Sequence, residues 1–430
     1  MTKPAQFPAS VLRSSLRASA FAQALVVVLA MVALPSAHAQ TYHILHSFSG
    51  AGDGGDPQAG VTIDRAGHLY GTTASGGPYQ YNGTVYEMKL RNGNWTLDTL
   101  YNFGSGGRND GASPYAGVVF GPDGSLFGTT AGGGSSGVGT VFKLGPPARA
   151  CQNVSCSWTE TILHSFMGGG DGATPYYGSL TFDAAGNIYG ATSAGGANNL
   201  GPCHRGGCGT VFELSPSNGG WNETIIHAFG GADGDFPVSG VVLDQAGNVY
   251  GTTSLGGQNL CYNTPCGTVY ELSYSAGSGW AESFLFSFSL AEGDTPDGGL
   301  TFDSSGNLYG TTSNDEATVF KLTPSGGSWT YSLAYNLGGT DDQYGPRDTL
   351  VMDAAGNLYG TTVEQYAVGT VFKLTPSTDG TWTYTLLHAF TGDDGEFPVG
   401  SVAIDANGNL YGTTSAGGLY GNGVVWEITP

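Results

Sequence analysis

An acidic residue stands four positions before a proline at seven places in this chain. The acids are Asp53, Asp110, Asp171, Asp233, Glu292, Asp342 and Asp394, ahead of Pro57, Pro114, Pro175, Pro237, Pro296, Pro346 and Pro398. Seven carboxylates at one repeated position would make a ring, and around the mouth of a channel such a ring would draw cations or polar ligands. Calcium requires six to eight oxygens at about 2.3–2.6 Å on one ion, and one acid per repeat does not supply them alone. No cofactor is therefore expected and no metal ligands are assigned, with calcium the one ion left open. The competing reading is mechanical: Asp-Gly makes a turn, and Pro stiffens the start of the strand that follows.

Other residues of catalytic type are less telling. His46, His164, His227 and His388 share one repeat position, but Tyr101, Phe286 and Tyr335 fill it elsewhere. A position that accepts phenylalanine reads as packing rather than catalysis or metal binding. The strands that would line a channel read Val61-Thr62-Ile63, Val118-Val119-Phe120, Leu180-Thr181-Phe182, Val241-Val242-Leu243, Leu300-Thr301-Phe302, Leu350-Val351-Met352 and Val402-Ala403-Ile404, without acid, histidine or amide. Arg347-Asp348 is the one departure just ahead of them. No metal-binding histidine pair or phosphate loop is present.

These residues must be held by something, and the spacing says what. The phrase Asp-x-x-Gly-Asn-Leu-Tyr-Gly-Thr-Thr occurs in seven copies, three exact and four looser, whose aromatics are Tyr70, Phe127, Tyr189, Tyr250, Tyr309, Tyr359 and Tyr411. Steps of 50 to 62 residues without a helical period are those of a four-stranded propeller blade. In the third repeat the strands are expected at 178–183, 187–193, 209–214 and 221–229. The fold class predicted is all-β: a seven-bladed β-propeller of four-stranded antiparallel blades over residues 40–430. The last blade lacks a fourth strand at the C-terminal end, and residues 41–48 match the fourth strand of the second repeat, so the N-terminal strand is predicted to close the ring.

Residues 1–39 read as a secretory signal, with Lys3, Arg13 and Arg17, an apolar stretch from Phe21, and Ala37-His38-Ala39 before Gln40. Export to the periplasm or beyond is expected, with no membrane span in the mature chain. Of 13 Lys+Arg, the leader holds three, leaving 10 against 34 Asp+Glu, a net charge of −24. Such a surface excludes nucleic acid and anionic lipid as partners. Export also permits disulfides, and local pairing is the simplest scheme: Cys151 with Cys156, Cys203 with Cys208, Cys261 with Cys266.

Gly-Asn-Leu-Tyr-Gly-Thr-Thr, Gly-Thr-Val-Phe-Lys-Leu-Thr-Pro, Leu-His-Ser-Phe and Asp-Gly-x-x-Pro together resemble the GloVer tandem-repeat proteins of bacteria across essentially the whole mature chain. That resemblance implies a propeller and carries no established activity. More weakly, the blade resembles NHL-repeat and gluconolactonase propellers.

Loops between second and third strands differ in length. Those of blades three and four are long and hold the later cysteine pairs; those of blades five and six are short. Tall loops beside low ones would form a ledge, with Tyr262 on one side and Tyr344, Tyr366 and Arg347 on the other. Ordinary divergence of loop length would leave the same trace. The function expected is a monomeric, non-catalytic binding or scaffold module whose loops meet a glycan, a peptide or a cell-envelope protein. The alternative is a channel-mouth lyase or lactonase-like hydrolase, metal-dependent, built from Arg347, Asp348 and Glu364.

Overall fold

The computed structural model describes residues 40–79, 81–107, 109–147, 158–196, 203, 206–313, 317–338, 345–363 and 368–430. They form seven four-stranded antiparallel sheets, the blades of a β-propeller, with no α-helix among the described residues. Blade three comprises Thr181–Phe182, Ile188–Thr192, Thr210–Ser217 and Gly220–Ala228, in that order from the inside outward. Blade seven is built from Ala403–Ile404, Leu410–Thr414, Val424–Thr429 and, as its outer strand, Thr41–Ser47. The N-terminal strand thus closes the ring as the repeat count predicts.

Each letter of the repeated phrase has a physical task. The turn Asp accepts from its own backbone: Oδ1 of Asp303 takes N–H of Ser305 and of Asn307, both at 2.9 Å. Its Oδ2 takes the Asn307 amide at 2.6 Å, and Gly306 supplies the positive φ of 80° that the turn needs. The glycine of Leu-Tyr-Gly lies under an aromatic ring of the third strand, paired across the ladder as Gly310 with Phe320. A Cβ on Gly310 would stand 2.4 Å from Phe320 Cζ, so only glycine fits.

The two threonines bind in different directions. The second joins strands within a blade, as Thr312 Oγ1 to Thr318 Oγ1 at 2.9 Å. The first joins blades: Thr72 donates to the Ala116 carbonyl at 2.9 Å, Thr252 to Gly298 at 3.0 Å and Thr413 to Ala59 at 2.7 Å. Inner-strand hydroxyls do the same, Thr181 donating to Val241 O at 2.6 Å. The polar groups nearest the axis therefore hold the ring together.

Apolar burial lies between blades. Phe229, at the end of the fourth strand of blade three, is fully buried with Val211 of its own blade and Val241, Val249, Tyr270 and Leu272 of the next. Two of the expected disulfides are formed, Cys203–Cys208 and Cys261–Cys266. Cys151 and Cys156 lie outside the described residues.

Candidate functional site: blade seams and channel mouth

The loop that carries each acid meets the start of the following blade's two-to-three loop, through backbone pairs such as Gly55 with Ser75 and Asp235 with Leu255. Residues before six of the seven prolines take left-handed φ without being glycine: Asp56, Ser113, Thr174, Phe236, Thr295 and Phe397, at 54° to 63°. Such backbone is strained and persists only where the surroundings fix it. Here they do. Thr174 N–H donates to Val138 O of blade two at 2.8 Å, and its carbonyl accepts from Ser193 N of blade three at 3.0 Å.

This geometry places the described acids away from the channel mouth, where a ring was expected. They reach outward to the fourth strands, at the seams between blades. Asp53, Asp233 and Asp394 lie 3.0, 3.1 and 3.0 Å from the Nε2 of His46, His227 and His388, and Asp171 lies 3.2 Å from that of His164. Asp110 accepts from Gly106 N at 2.8 Å and from the Tyr101 hydroxyl, and Glu292 accepts from Ser289. The outward reach follows from the backbone: the strained residue and proline fix the chain to the next blade, so the acid four residues earlier still lies beside the strand just completed. The histidine position is correspondingly more than apolar packing, since each described imidazole there meets a carboxylate.

Across six of the seven seams a tyrosine or a glutamate of the following blade completes the contact. Tyr42, Tyr331 and Tyr384 stack on His388, Phe286 and Tyr335, with ring centroids 3.8, 4.5 and 5.6 Å apart. At three more seams Glu160, Glu223 and Glu282 stand beside Asp110, Asp171 and Asp233. Burial, then the neighbouring Asp, pushes the Glu160 carboxyl up to about 8. Burial and Asp171 push Glu223 to about 9, and burial lifts Glu282 to about 7. Tyr101 Oη lies 3.1 Å from Asp110 Oδ2 and 2.9 Å from Glu160 Oε2. One phenol proton cannot serve both, so a proton held on a carboxyl group relieves the conflict.

The mouth is built by the residues that follow the prolines: Gln58, Tyr115, Tyr176 and Tyr177, Val238, Asp297, Arg347 and Val399. Tyr115, Tyr176 and Tyr177 cluster with centroids 4.2 to 5.7 Å apart. Burial and its tyrosine neighbours raise the Tyr177 pKa, against the pull of Arg347 from blade six. Blades three and six face one another, so this pull acts across the mouth. Arg347 is exposed and also acts on Asp297. Burial raises the Asp297 carboxyl, while hydroxyls of Ser254 at 2.6 Å and Ser313 at 3.0 Å and the Arg347 charge pull it down. Asp348 points into the backbone instead. Its oxygens accept from Thr349 N at 2.6 Å and from Ser401 N of blade seven at 2.7 Å, and burial pushes its pKa up to about 6.

Of the other expected ledge residues, Tyr262 is 68% exposed at the tip of the disulfide-closed hairpin of blade four. Asp342, Tyr344, Glu364 and Tyr366 lie outside the described residues. The sequence reading missed Tyr115, Tyr176, Tyr177 and Asp297, although aligning the repeats on their prolines would have brought Tyr115, Tyr176 and Asp297 to one position with Arg347 and Tyr177 to the next. It also missed the seam glutamates, two residues after Trp158, Trp221 and Trp280. A cleft of about 510 Å³ on the opposite face, beside Phe302, Tyr309 and Trp382, is walled by the turns of Asp303 and Asp353. Those carboxylates are occupied by their own backbone and Asn amides.

Known proteins place the chain by its repeats. The Gloeobacter/Verrucomicrobia repeat matches residues 32–259, 151–362 and 313–430, nearly the whole chain in overlapping spans. The chain belongs to that repeat family. No curated protein matches this repeat protein. Among solved structures it is similar to a putative 6-phosphogluconolactonase from Bacteroides uniformis, at 15% identity and a TM-score of 0.48, covering 79% of this chain and 86% of that one. A gluconolactonase from Xanthomonas campestris matches at 14% identity and a TM-score of 0.40, covering 71% and 82%. At those identities the likeness concerns the fold alone.

Proposed function

We propose that this repeat protein is an exported, monomeric, non-catalytic binding module that takes a glycan or a peptide at the channel mouth of its loop-bearing face. The observation that carries this reading is the mouth itself, where Tyr115, Tyr176 and Tyr177 stand across the ring from exposed Arg347 and its neighbour Asp297. Half-buried aromatic rings offer flat apolar faces to a sugar or a peptide side chain. A guanidinium beside them binds a carboxylate in two-point fashion. An acidic sugar or a carboxylate-bearing peptide fits both features.

Asp348 supports binding over turnover. The carboxylate an enzymatic mouth would use as a base is engaged by two backbone N–H groups that join blades six and seven. Export is supported by the two bonded cysteine pairs, since such bonds persist in oxidising compartments.

Glycan and peptide arrays probed with the wild-type protein and with Arg347→Ala test the reading. The expected result is binding to acidic ligands, weakened about thirty-fold by the substitution, the effect of about 2 kcal/mol at a contact that matters. Array hits that Arg347→Ala leaves intact, or turnover of a hit by the wild-type protein, would overturn it.

A further inference from the structure

Two seams bring a histidine and two carboxylates from three separate segments to one point. Between blades two and three, His164 Nε2 lies 3.2 Å from Asp171 Oδ1 and 3.4 Å from Glu223 Oε1. Between blades three and four, His227 Nε2 lies 3.1 Å from Asp233 Oδ2 and 3.6 Å from Glu282 Oε2. Within each group one ligand atom from every residue lies within 4.8 Å of the others. An ion of the zinc class holds imidazole nitrogen at about 2.0–2.1 Å and carboxylate oxygen at about 2.0–2.2 Å, and a tetrahedral arrangement then sets neighbouring ligand atoms about 3.4 Å apart. The four measured separations bracket that value.

Hydrogen bonding gives an independent indication. His164 Nε2, Glu223 Oε1 and Glu282 Oε1 are buried and make no hydrogen bond, whereas buried polar atoms ordinarily do. An imidazole nitrogen carries at most one proton and cannot serve two carboxylates, but a divalent cation in each seam would engage its histidine and both its carboxylates.

The remaining seams supply internal comparisons. His46 with Asp53 faces Leu97 at the repeat position of the glutamates, and His388 with Asp394 faces Tyr42. The seam of Asp110 and Glu160 has Tyr101 where the imidazole would be. Only the seams after blades two and three combine all three groups among the described residues.

We propose that each of these two seams binds one divalent transition-metal ion of the zinc class through His, Asp and Glu, so that the chain takes two ions, each tying neighbouring blades together. Calcium fits poorly, because it takes oxygens alone and in greater number. The proposal stands apart from ligand binding at the mouth, since no residue is shared.

Titrating the full, chelator-treated chain with zinc, by calorimetry and native mass spectrometry, tests it. Two ions are expected to bind, and zinc is expected to raise the melting temperature. Glu223→Gln and Glu282→Gln should each remove one ion, weakening its binding by more than about ten-fold, and the double variant should remove both. His46→Asn should keep two, and calcium should not compete. His164→Gln serves in place of Glu223→Gln if that variant does not fold, as judged by circular dichroism. Any wild-type stoichiometry other than two, or ions retained by the double variant, overturns the proposal.

Discussion

Asp348 and Glu160 show how two half-buried carboxylates in one ring come to opposite uses. Asp348 is satisfied by two backbone N–H groups, one from each of two blades. Asp348→Ala would leave both donors without their acceptor, and a loss of about 2–3 kcal/mol is expected in urea unfolding. Glu160 instead faces Asp110 and carries a pKa raised to about 8 from an ordinary value of 4.5. Between those values the folded protein holds a proton that the unfolded chain has released, so stability falls as pH rises through this window. Melting temperatures at pH 5, 6.5 and 8 should therefore decline, and Glu160→Gln should flatten the decline. An unchanged slope would mean the carboxyl group is not buried against Asp110. The sequence made the turn aspartates legible, because Asp-x-x-Gly acts within a few residues. It did not make the seam glutamates legible, because their partners lie some 60 residues away, as Glu160 from Tyr101 does at a separation of 59.

Strands were legible because each has a local signature: period-two alternation, the turn aspartate, and the glycine that clears an aromatic ring. Gly310→Ala drives a Cβ into Phe320 and should cost about 1–3 kcal/mol, read as a lower denaturant midpoint with unchanged slope. The inner strands are shorter than their sequence suggests, only two residues each by pairing, as in Thr181–Phe182. Beyond those pairs the chain turns to hydrogen bonds with the next blade, such as Tyr177 N to Val238 O at 3.1 Å. Closure by residues 41–48 was legible from a repeat missing one strand. Deleting them strips Val424–Thr429 of its outer neighbour and removes fully buried Phe48. Aggregation, or a fall in melting temperature of more than about 5 °C, is expected. A truncated chain that melts like the full one would contradict this closure.

At the scale of the whole molecule, the propeller separates two kinds of polar chemistry. Acids and histidines gather at the outer rim, on the seams, where they join blades. Aromatic rings, Arg347 and Asp297 gather at the mouth. The sequence suggested the reverse for the acids, because a repeat count shows that seven residues form a ring but not its radius. In six of the seven blades that radius is set by the strained residue before the proline, whose positive φ no spacing reveals. The central claim is that the mouth is the ligand site, and hydrogen exchange with and without an array hit tests it most directly. Protection is predicted at residues 56–60, 113–118, 174–179, 295–299 and 345–349, with the turns at 64–67, 183–186 and 353–356 unchanged. Protection at those turns, with none at the mouth, would contradict it.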